Sequence, residues 1–250
     1  MTQNVGRDGV VRLNSGLLLL TAALIGACKL GVSELEVLCD SCSELPEDVV
    51  GGVVQDLGHE PVPTVGAVVE EWGCDNPGTT VDGRGDFTID LHRAECPTIT
   101  VELDGFVPGV VGIGPEDLPT GIEVPLYDRA GEIEFSIEDF GVPYDPAYGA
   151  VLFHFYTGAD TAASELTAGI RASIELEYGT VWALDVTDEH VAGDVVPEGS
   201  SSAEIWFHTV TPGFTALTIE TPPGTRCTGP EELPVYADTY SHANYYCVED

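Results

Sequence analysis

Phe87-Thr88-Ile89-Asp90-Leu91 places an apolar residue at every second position. In an extended chain a period of two sends Phe87, Ile89 and Leu91 to one face and Thr88 and Asp90 to the other. Thr98-Ile99-Thr100-Val101-Glu102-Leu103-Asp104 repeats the pattern and stops at Gly105. Working outward, Gly58, Pro61, Pro63, Pro77, Gly78, Gly83, Gly85, Pro97 and Pro108 punctuate the chain at short intervals. No long stretch has helical periodicity. Many short strands between turn signals predict an all-β chain built as a β-sandwich.

The second half carries the same signal. Ile133-Glu134-Phe135-Ser136-Ile137 and Ile170-Arg171-Ala172-Ser173-Ile174-Glu175-Leu176 alternate and are expected as strands. Phe207 to Ile219 reads as two strands joined at Pro212-Gly213 in a closing hairpin. Phe140-Gly141-Val142-Pro143-Tyr144-Asp145-Pro146 reads as a loop. The expected organisation is two tandem sandwiches, residues 48–128 and 129–250.

The order of motifs in the first module carries a resemblance. Val50-Gly51-Gly52-Val53-Val54-Gln55-Asp56 fits V-x-G-x-V-x-D, Gly66-Ala67-Val68-Val69 gives a small-residue strand, and Thr80 to Ile89 includes Gly85-Asp86-Phe87. Ile99-Thr100-Val101 then leads to Asp104-Gly105-Phe106. This order resembles the carboxypeptidase regulatory-like domain, which implies a transthyretin-like (prealbumin-like) sandwich; the second module would be a divergent, Ig-like relative. In enzymes that carry this module, catalysis resides in a separate domain, so the resemblance implies no activity here.

The N-terminal residues read as an address. Arg7 and Arg12 precede the apolar run Gly16 to Ala27, which is shorter than the about 20 residues of a comfortable span. A basic start, a short apolar middle and small residues at the end make an export signal over residues 1–27. Ile25-Gly26-Ala27-Cys28 resembles the bacterial lipobox, which implies lipidation of Cys28 and membrane anchoring through that lipid, with residues 28–47 as lipidated terminus and linker. In the lipoproteins it resembles, Lys29 rather than Asp after the Cys points to the outer membrane.

Cysteine usage agrees with export. Setting Cys28 aside leaves Cys39, Cys42, Cys74, Cys96, Cys227 and Cys247. An even remainder in an exported chain reads as disulfides, and clustering along the chain favours 39–42, 74–96 and 227–247. The last two would each close a loop worth on the order of 3 kcal/mol. Cys39-Asp40-Ser41-Cys42 also admits a thiol redox role, but Glu34, Glu36, Asp40 and Glu44 nearby oppose a thiolate.

Composition excludes several functions. Acids number 43 against 8 basic residues, a formal charge of -35, and Lys29 is the sole lysine. Such a surface repels nucleic acid, whose phosphates need clustered Lys and Arg. No calcium loop of the form D-x-[DN]-x-[DN]-G occurs; Asp82-Gly83-Arg84-Gly85-Asp86 comes nearest, with Arg84 in its middle. His92-Arg93-Ala94-Glu95 matches a zinc motif by letters but lacks a third ligand. No G-x-S-x-G elbow or phosphate loop is present, and Gly199-Ser200-Ser201-Ser202 reads as a flexible loop. His59, His154, His190, His208 and His242 show no metal spacing, although Asp188-Glu189-His190 forms half a site. His154 and His208 alternate with apolar neighbours, so each could sit on an outer strand face or fill the core. Trp182, Trp206, Tyr245 and Tyr246 could form a sugar-stacking platform or could pack in the core.

The reading is a non-catalytic, lipid-anchored protein of the bacterial cell envelope with a structural or interaction role. It has no catalytic residue, metal or cofactor, and its partner is an envelope protein or a glycan. Its rivals are carbohydrate- or calcium-dependent surface binding and, more distantly, thiol redox chemistry at Cys39 and Cys42.

Overall fold

The computed structural model describes residues 47–56, 62–73, 78–92, 98–114, 122–138, 141–157, 166–185, 187, 189–200 and 202–250. The first part of the chain forms β1 (Glu47–Asp56), β2 (Val62–Pro63), β3 (Val68–Glu71), β4 (Thr79–Thr80), β5 (Asp86–His92) and β6 (Thr98–Glu102). It continues through β7 (Phe106–Val107), β8 (Gly109–Gly112), β9 (Ile122–Asp128) and the helix α1 (Arg129–Glu138). Then come β10 (Gly149–Tyr156), β11 (Arg171–Ile174), β12 (Thr180–Leu184), β13 (His190–Ala192) and β14 (Glu204–Val210). The last four are β15 (Gly213–Glu220), β16 (Thr225–Thr228), β17 (Glu232–Val235) and β18 (Tyr240–Glu249). The described chain is all-β apart from α1.

Strand β5 forms where the alternation placed it, with Phe87, Ile89 and Leu91 buried and Thr88 and Asp90 exposed. It pairs antiparallel with β1 along Glu47–Val53. The glycine of the V-x-G-x-V pattern has a packing reason. A Cβ at Gly52 would collide with the Phe87 ring and with the Ile122 carbonyl of the parallel neighbour β9. Only a bare backbone lets that ring lie across β1.

Three sheets make the layers. One has five strands, in the order β2-β1-β9-β7 with β5 also on β1. One has ten, in the order β13-β12-β14-β10-β18-β8-β6-β3-β4 with β16 also on β18. The third is β11-β15-β17. The ten-stranded sheet is continuous across residue 128, because β8 pairs parallel with β18. Its two faces feed different cores. On β8, Val111 joins Ile99, Val101 and Ile89 in one core, while Val110 joins Val151, Phe153 and Phe207 in the other. The five-stranded sheet closes the first core and the three-stranded sheet closes the second. Burial on both sides explains why β10, Gly149-Ala150-Val151-Leu152-Phe153-His154-Phe155-Tyr156, lacks an alternating polar face.

Two expectations are corrected. Ile133-Glu134-Phe135-Ser136-Ile137 is not a strand; it lies in α1. Asp128 caps that helix by accepting the Gly131 N–H at 2.8 Å. Glu132 and Ser136, four residues apart, point inward, and Ile133 points out. Five alternating residues satisfy a strand period, yet the cap and the polar i, i+4 pair decide the helix. The expected hairpin from Phe207 to Ile219 is an arch instead, since β14 belongs to the ten-stranded sheet and β15 to the three-stranded one. Thr209 takes a left-handed backbone, φ 57°. This turns Val210 into the same core as Phe207, and Thr211-Pro212 then crosses to the facing sheet.

Candidate functional site

Opposite the Phe153 side of the ten-stranded sheet lies a strip of polar and aromatic side chains. Strand alternation builds it: Leu152 and His154 from β10, Tyr240 and His242 from β18, Glu204, Trp206 and His208 from β14. Cross-strand register aligns them, with His154 opposite both Glu204 and Asn244, and Leu152 opposite both Trp206 and His242. Tyr127 of β9 and Glu132 of α1 lie against this face.

The centre of the strip is a buried chain of three groups. His154 Nδ1 lies 3.5 Å from Glu204 Oε1, and His154 Nε2 lies 3.1 Å from His242 Nδ1. The imidazole centroids are 5.4 Å apart with planes 17° apart, so the rings meet nearly end to end. Glu204 also accepts from Ser202 Oγ at 2.7 Å and Trp206 Nε1 at 3.1 Å. Burial alone would raise the Glu204 carboxyl, but the contacts with His154, Ser202 and Trp206 outweigh it and bring the pKa down to about 2. Burial, and then His154, hold His242 well below the usual imidazole value. Its Nε2 is buried without a hydrogen-bond partner among the described residues. Tyr127 lies parallel to His242 at 6.3 Å, and burial raises its phenol, reinforced by Glu204 and Glu132.

At one end of the strip Glu132, 3% exposed, accepts from Tyr240 Oη and from Ser136 Oγ, the latter at 3.4 Å. Burial pushes it up to about 7. His208 stacks on Trp206 and is pushed down to about 3 by burial and then by His190. A cavity of about 30 Å³ lies beside them, lined by Ser136, Tyr144, Tyr148, His208, Thr209 and Tyr240 among others. That is room for water, which needs roughly 10–15 Å³, and far below the roughly 300 Å³ of a small-ligand site.

The strip can hold protons and carry packing load. Among the described residues no cluster of three or more His, Cys, Asp or Glu could hold a metal. The near-collinear His154–His242 contact also leaves no gap for an ion between the two nitrogens.

Of the cysteines singled out in the sequence, Cys227 and Cys247 face each other across β16 and β18 and form a disulfide. Cys28, Cys39, Cys42, Cys74 and Cys96 lie outside the described residues, as do Arg93, Ala94, Glu95 and Asp188. Asp82 Oδ1 accepts the N–H groups of Arg84 at 2.7 Å and Asp86 at 3.1 Å, which closes the Asp82–Asp86 turn. His154 and His208 are buried, not on an outer face, because β9, α1 and the 141–148 loop pack near that side of the sheet. The aromatic platform does not assemble. Trp206 packs in the strip while Tyr245 belongs to the opposite core with Phe153. Ser200 is buried rather than in a loose loop, its Oγ 2.6 Å from both Leu184 O and Ser202 O. Sequence reasoning missed the Glu204–His154–His242 chain. The available signal was β10 itself, where a lone His among apolar residues on both faces must be covered on both.

No family model matches the chain, and no curated protein matches it. Among solved structures it is similar to GBS52, the minor pilin of Streptococcus agalactiae, at 12% identity and a TM-score of 0.26, covering 81% of this chain and 97% of that one. It is also similar to a streptococcal ancillary pilin at 14% identity and a TM-score of 0.24, covering 79% of this chain and 62% of that one. The shaft pilin SpaA of Lactobacillus rhamnosus GG follows at 9% identity and a TM-score of 0.23, covering 82% and 99%. Scores this low leave these as likenesses only.

Proposed function

We propose that this chain is a non-catalytic, exported protein of the bacterial cell envelope, anchored by a lipid on Cys28, with a structural or interaction role. The observation that carries the reading is Ile25-Gly26-Ala27-Cys28 closing a short apolar run. The Cys227–Cys247 disulfide supports it, since such bonds persist in oxidising compartments. No helix among the described residues is long and apolar enough to cross a membrane. Buried Glu204, His154 and His242 support a non-catalytic role, because they contact one another, and the cavity beside His208 has room only for water. In this reading residues 48–128 are the regulatory-like module, residues 129–250 the divergent sandwich, and residues 28–47 a tether. The working surface is the acidic exterior, presented to another envelope protein.

Replacement of Cys28 by Ser tests the anchor. Fatty-acid labelling should disappear, and the protein should leave the membrane fraction or remain unprocessed. Unchanged labelling and membrane retention in C28S would contradict the proposal.

A further inference from the structure

Helix α1 is held onto the polar strip by a side chain with an unusual position. Glu132 is a nearly fully buried carboxyl whose only partners among the described residues are two hydroxyls, Tyr240 Oη and Ser136 Oγ. The cation of the same helix, Arg129, is turned elsewhere: its Nη1 lies 2.5 Å from Asp238 Oδ1, and its Nη2 donates to the Phe106 carbonyl at 3.2 Å. The groups around Glu132 offer no positive charge. From β9 comes Tyr127 and from β18 Tyr240, both phenols that burial keeps neutral. A carboxylate here accepts from two hydroxyls, but no cation offsets the cost of its burial. A protonated carboxyl has instead a hydrogen to donate and no charge to bury.

We infer that α1 is a pH-gated cover: protonated Glu132 seats the helix on the strip, and loss of that proton loosens it. A cavity of about 30 Å³ lies between Ser136 of the helix and Tyr240 of the sheet. The sign is fixed by the direction of the shift. Burial raises Glu132 from 4.5 to about 7, so seating is strongest below pH 4.5 and is lost as pH rises to about 7. The cap at Asp128 and the Arg129–Asp238 pair tether the start of the helix, so loosening is greatest from Ser136 towards its C-terminal end.

Hydrogen exchange on the intact protein at pH 5 and pH 8, corrected for intrinsic rates, tests this. Protection of the α1 amides should fall about tenfold or more between the two, relative to β18. Glu132→Gln keeps a donor and cannot ionise, so its α1 protection should hold at both pH values. If that variant misfolds, the wild-type ratio still decides, and Ser136→Ala supplies a second variant with a fall at least as large as wild type. Equal α1 protection at pH 5 and 8 in the wild type, or an undiminished fall in Glu132→Gln, would overturn the inference.

Discussion

At the scale of single residues, burial and charge decide what the polar strip does. Glu204 stays ionised in the interior because His154, Ser202 and Trp206 outweigh its burial, whereas the two hydroxyls on Glu132 pull its pKa down without offsetting burial. His208 shows the opposite response to pH. Its folded pKa of about 3 lies below the ordinary 6.5, so the unfolded chain takes up a proton that the folded one refuses. Its contribution to stability is therefore complete above pH 6.5 and is lost as pH falls, by about 1.4 kcal/mol per unit. Urea unfolding of wild type and of His208→Gln at pH 7, 6 and 5 should show the gap between them narrowing by that step; a constant gap would contradict the burial argument. None of this was legible locally. His154 and His208 alternate with apolar neighbours, a pattern that an outer face and a second covered face produce equally.

At the scale of elements, alternation located the strands and misread the connections. Phe87, Ile89 and Leu91 point inward as their period requires, and Gly52 is bare because the Phe87 ring occupies its face. The segment around Ile133 has the same letters and becomes α1, since Asp128 caps it and Glu132 and Ser136 share one side. The cap makes a direct prediction. Asp128→Ala should cost about 1 kcal/mol of stability in denaturant unfolding, while Asp128→Asn, which still accepts the Gly131 N–H, should retain most of it. Equal losses in the two variants would mean that the cap is not what holds the helix start. The Pro212-Gly213 turn signal was also real, but a turn residue does not say whether the chain returns to its own sheet. Thr209 at φ 57° sends it across to the facing one.

At the scale of the whole molecule, the all-β class followed from patterning, while the pairing of β8 with β18 did not. Parallel pairing between strands more than a hundred residues apart leaves no local signature, because it depends on which faces remain uncovered after each sandwich closes. The result is one sheet with a core on each face and, on the face opposite Phe153, a polar strip covered by β9 and α1. Charge and cysteine usage act at this scale too. A formal charge of -35 keeps nucleic acid away, and the Cys227–Cys247 bridge ties β16 to the sheet through β18. The most direct test of the account is the intact mass and N-terminal sequence of the protein recovered from membranes. The account predicts a chain that begins at Cys28 and carries a covalent lipid on that residue. A chain that keeps residues 1–27, begins elsewhere, or bears an unmodified Cys28 would contradict it.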